Sequence, residues 1–161
     1  MLKSNRLVRK PVLLLSFIVL CAASALCFKP GMNAEEWLTW GNRCLYQCFD
    51  PNGDAKLKKW ELSLTGDSFV RLRKTYANGK QEYYSFHLHR FSDINYLGTS
   101  SAGILQFKTI ADDIIVQTYD DPRGNVDSMT TALSISVRNM EPERVDSLRN
   151  ALLYLKEKDK Q

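Results

Sequence analysis

The chain has 161 residues, 44% of them hydrophobic, with 22 Lys or Arg against 18 Asp or Glu and a formal net charge of +4. That balance excludes a disordered or collagen-like polymer and suits one compact domain. Four of the 22 basic residues (Lys3, Arg6, Arg9 and Lys10) precede residue 26, so residues 26–161 carry 18 basic against 18 acidic side chains, a neutral body that offers no footprint for nucleic acid or anionic lipid.

The chain begins with "MLKSNRLVRK", which holds no acid, and continues as the apolar run "PVLLLSFIVLCAASALCF". A basic start, an apolar core and a small-residue exit make an export signal. Ala23 and Ala25 stand in the A-x-A relation, so residues 1–25 read as a signal peptide cleaved after Ala25. The alternative is an uncleaved anchor over residues 12–28, at the short end of the roughly 17–25 residues that span a bilayer. It would hold the basic residues inside and the C-terminal domain outside. Either route predicts an exported domain, periplasmic or secreted, or tethered to the membrane only through its N-terminal segment. Cys21 and Cys27 each follow leucine, where a lipoprotein signal wants a small residue. Residues 26–33 form the linker, and residues 34–161 are expected to make a single α+β domain.

Residues 33–49 read as a helix. Asn33 can cap it, with Glu36 three positions on, and Trp37, Trp40, Cys44 and Cys48 fall on one stripe. Gly41 weakens the interior by about 1 kcal/mol, so the helix needs a surface to lie on. Cys44 and Cys48 admit two readings in an oxidising compartment. At about 6 Å between Cα atoms a disulfide forms only with distortion, and small buried hydrophobes beside the tryptophans are the other. Cys27 is the third exported cysteine, and no C-x-x-C motif is present.

The next stretch, "DPNGDAKLKKWE", resembles a calcium loop. Asp50, Asn52 and Asp54 hold its first, third and fifth places and Glu61 its twelfth, but Ala55 stands where the turn wants glycine. Trp60, Leu62 and Leu64 then alternate with Glu61 and Ser63, which predicts a strand that carries Glu61 away. The expectation is therefore a turn joining helix to sheet, with no metal and no cofactor.

"SFVRLRKTY" and "EYYSFHLHR" flank "ANG" and predict a hairpin. A three-residue loop, 77–79, sets Val70 opposite Phe86, Leu72 opposite Tyr84 and Lys74 opposite Glu82, with Gly79 left-handed. In that register His87 and His89 face outward with Tyr83 and Ser85. Two imidazoles can begin a zinc site with two cysteines as the remaining ligands, but an exposed polar strand face is the expectation. Further strands are predicted near 93–98, 104–108, 114–119 and 130–138, with "DDPRGNVD" as the one long polar loop. The adjacent acids Asp112, Asp113, Asp120 and Asp121 read as turn residues rather than acid–base pairs. Pro142 opens a final helix behind Glu141. Val145, Leu148, Leu152 and Leu155 form its apolar stripe, and "KEKDKQ" is expected to trail into solvent.

A meander of about seven antiparallel strands, or a partly closed barrel, preceded by one helix and closed by an amphipathic one, resembles a pleckstrin-homology-like domain in element order. Such folds host unrelated functions. No nucleophile motif or phosphate loop is present. The expected function is thus an exported envelope binding or structural module without a catalytic centre, its partner an envelope protein or a small ligand. The alternatives are an envelope enzyme whose site is assembled by tertiary contacts, and a carrier of an apolar ligand.

Overall fold

Two sheets and two helices enclose one apolar core in the computed structural model, which describes residues 31–53 and 56–159. The expected signal peptide (1–25) or alternative anchor (12–28), Cys27 and Asp54 fall outside those residues. Among the described residues no helix is long and apolar enough to cross a membrane.

Helix α1 (Ala34–Cys48) begins with the expected capping box: the Asn33 side chain accepts the Glu36 N–H at 2.9 Å, and the Asn33 N–H donates to the Glu36 carboxylate at 2.8 Å. Gly41, Cys44, Leu45 and Cys48 are buried. Asn42 pins the helix to the sheet, donating to Leu64 O at 2.7 Å and accepting from Leu64 N at 2.8 Å. A polar side chain thereby supplies the hydrogen bonds that the end of an edge strand lacks.

Eight strands follow: β1 (Leu57–Leu64), β2 (Phe69–Tyr76), β3 (Gln81–His87), β4 (Phe91–Gly98), β5 (Ala102–Thr109), β6 (Ile114–Tyr119), β7 (Asp127–Thr130) and β8 (Ala132–Arg138). They form a five-stranded sheet in the order β1-β2-β3-β6-β7 and a three-stranded sheet in the order β4-β5-β8. All pairings are antiparallel. The sheets do not close into a barrel. Phe86 of β3 meets Phe107 of β5 at a centroid distance of 6.0 Å, so both sheets contribute to the same core.

The β2–β3 register pairs Val70 with Phe86, Leu72 with Tyr84 and Lys74 with Glu82, as the three-residue loop requires. Tyr76 N–H donates to Lys80 O, and Gly79 lies at φ +93°. That conformation costs glycine little and other residues about 1–2 kcal/mol.

Residues 130–138 do not form one strand. Thr130 ends β7 in one sheet and Ala132 begins β8 in the other, so the chain changes sheets at Thr131. Alternation is continuous through that crossing, which hides it in the sequence.

Helix α2 (Pro142–Lys158) buries Val145, Leu148, Leu152 and Leu155, and Ala151 with them. Arg149 reaches β4, donating to Asp93 and to Ile94 O, each at 2.8 Å. Glu157, Lys158 and Asp159 are exposed, yet the last turn is tied down: Lys156 Nζ donates to Phe91 O at 2.5 Å, and Asp159 approaches His87.

Candidate functional site

Strand β3 ends at His87, and residues Leu88–Arg90 tighten into a 3-10 turn that leads into β4. Leu88 is buried and anchors the turn. In an extended strand His87 and His89 would lie along one outward row. The turn instead folds His89 back on His87, bringing the two Nδ1 atoms to 2.6 Å and the ring centroids to 4.5 Å. The His89 N–H also donates to His87 Nδ1 at 3.2 Å. On the other side the His87 ring packs edge-on against Phe69, 4.6 Å between centroids.

Asp159, the C-cap of α2, completes this corner with Oδ2 3.4 Å from His87 Nδ1. One ligand atom from each of His87, His89 and Asp159 lies within 4.8 Å of the others. Asp159 also lines an open groove of about 400 Å³ bounded by Glu35, Leu38, Ser68 and Leu155. Sequence reasoning found both histidines but not the carboxylate.

The cysteines lie at the opposite end of α1, both free and buried. Cys48 Sγ accepts from Arg144 Nη1 at 3.3 Å and stands 3.8 Å from Asn139 O. The hydrogen bond from Cys44 pushes the Cys48 thiol down to about 6, and Arg144 adds to that against the cost of burial. Cys44 is pushed up, first by the same hydrogen bond, then by burial and by the charge on Cys48. The hydrogen bond between the two cysteines thus shifts their thiols in opposite directions beside a guanidinium.

A third feature is the outer face of the five-stranded sheet. Glu61, Arg73, Tyr83, Gln117 and Asp127 stand in one row across it, each opposite the next. The Arg73 guanidinium lies 4.9 Å from the Tyr83 ring centroid, and Arg71 lies 4.9 Å from that of Phe69. Tyr83 meets Tyr119 edge-on at 5.3 Å. Ile115, Tyr119 and Met129 are exposed beyond them.

Residues of the calcium-like loop are placed differently from one another. Asp50 accepts the Asn52 N–H at 3.0 Å in an Asx-turn, and its own N–H donates to Ser136 O. Gly53 lies so close to β8 that a Cβ would sit 2.2 Å from that of Ser136. Glu61 is on β1, exposed and opposite Arg73. Of the adjacent acids, Asp113 pairs with Arg90 at 2.9 Å and Asp121 with Lys80 at 2.8 Å. These hydrogen-bonded cations hold both carboxyls below the usual range.

Comparison with family models, with curated proteins and with solved structures gives no match.

Proposed function

We propose that the chain is an exported module of the cell envelope, of pleckstrin-homology-like element order, which binds an envelope protein and has no catalytic centre. The outer face of the five-stranded sheet carries this reading. It presents Arg71 and Arg73 stacked on aromatic rings, with Tyr119, Ile115 and Met129 exposed around them. Arginine, tyrosine and methionine are enriched where proteins meet, and stacked guanidinium–aromatic pairs make rigid anchors. Three of the aspartates, Asp93, Asp113 and Asp121, are each tied to a cation. That supports a binding role over an enzymatic one.

The test is position-specific photo-crosslinking in cells producing the full chain. A crosslinker at Gln117, on the face, should give one discrete adduct that disappears when Arg73→Glu is added. The same probe at Asn150, exposed on α2, should give none. Equal adducts at both positions, or an adduct indifferent to Arg73, would reject the face as the binding surface.

A further inference from the structure

We propose that His87, His89 and Asp159 form a binding site for a late first-row divalent metal ion of the zinc class, which clasps the end of α2 to the β3–β4 corner. Geometry is the first argument. Two imidazole nitrogens 2.6 Å apart cannot both direct bare lone pairs at each other; either one donates its proton to the other or both face a shared cation. A proton suffices for two nitrogens, but the third group here is a carboxylate on the same spot, 3.4 Å from His87 Nδ1. With metal–nitrogen distances near 2.0–2.1 Å, tetrahedral ligand atoms stand roughly 3.3 Å apart. The carboxylate is already at that spacing. The imidazoles need only a small ring rotation, in which the ion takes over the lone pair of His87 that now accepts the His89 N–H.

Electrostatics is the second argument. Asp159 is the C-cap of α2, where the helix dipole is negative and a carboxylate is normally unfavourable. A divalent cation reverses the sign of that interaction. Support is the third: His87 is held by the β2–β3 ladder and by Phe69, and His89 by a turn anchored on buried Leu88.

The donor set selects the ion. Two imidazoles and one carboxylate suit zinc, cobalt, nickel or copper, whereas magnesium and calcium prefer oxygen throughout. Three protein ligands leave the fourth position to water. The cysteines are not part of this centre, because Cys48 is committed to Arg144.

The experiment uses the full chain, stripped with chelator and titrated with zinc by calorimetry, with cobalt as a spectroscopic probe. One zinc per chain is expected, with a rise in melting temperature, no comparable effect of magnesium, and a cobalt spectrum lacking thiolate charge transfer. His87→Ala and His89→Ala should each weaken zinc binding by at least about tenfold, and Cys44→Ser/Cys48→Ser should leave it intact. His89 is exposed, so its variant reports even where loss of the His87 ring disturbs folding, which circular dichroism of the metal-free proteins checks. Absence of binding to the folded parent overturns the proposal. So does zinc binding that survives both histidine substitutions, or affinity and melting temperature unchanged in Asp159→Asn.

Discussion

Cys48 is fully buried, and yet its thiol is pushed from an ordinary 9.0 down to about 6 by hydrogen bonds from Cys44 and Arg144. Folded chains therefore keep the thiolate through a range where unfolded chains hold the proton. The depressed group stabilises the fold fully above pH 9, and that contribution is lost as pH falls through 6. Cys44 acts in the opposite sense: raised in the fold, it makes stability decline as pH rises beyond 9. The urea midpoint of the reduced protein should accordingly climb from pH 6 to 9. Arg144→Met should flatten that climb, because the thiolate loses its guanidinium partner. An unchanged slope in the variant would show that Arg144 does not hold the charge. The sequence placed both cysteines on one buried stripe, since that follows from helical spacing. Arg144 is 96 positions from Cys48, and no local pattern links them. Asp159 was hidden from the two histidines for the same reason.

At the scale of elements, α2 is held by an apolar stripe and by two cations reaching main-chain carbonyls. Leu148 and Leu152 are both 0% exposed, so Leu148→Ala or Leu152→Ala should each cost about 2–5 kcal/mol in chemical denaturation. Midpoints equal to the parent in both variants would mean the helix is not docked. The elements whose signals are local were legible: the Asn33–Glu36 capping box, Pro142 at the head of α2, and the β2–β3 register. Each is decided by residues within a few positions of one another. The 3-10 turn after His87 was not. "HLH" continues a period of two on paper and Leu88 is buried either way, so nothing in the local pattern marks the turn.

For the whole molecule, alternation identified which side chains face inward but not which strands are neighbours. Pairing of β6 with β3, past the intervening β4 and β5, is a long-range choice set by how two twisted sheets share one core. The two-sheet division was therefore not legible, although the α+β class was. Export belongs to this scale as well. Produced in a bacterium, the protein should be found outside the cytoplasm, most often with a new N-terminus at Leu26, as intact mass would show. A soluble cytoplasmic form retaining Met1 would refute export.

Phe49, just past α1, bridges to Val137, and Asp50 N–H donates to Ser136 O. The first helix of the domain is thus seated on its last strand and packs against its last helix. The chain is made N-terminus first, so α1 exists before the strand it is seated on. At roughly 5–20 residues per second, α1 waits several seconds for β8, with Cys44, Leu45 and Cys48 facing water. The β2–β3 hairpin can close during that interval and α1 can lie on β1 through Asn42 and Leu64, but its C-terminal end still lacks its seat on β8. A chain that stops before Ser136 therefore leaves the C-terminal end of α1, with buried Cys44 and Cys48, without the strand it is seated on.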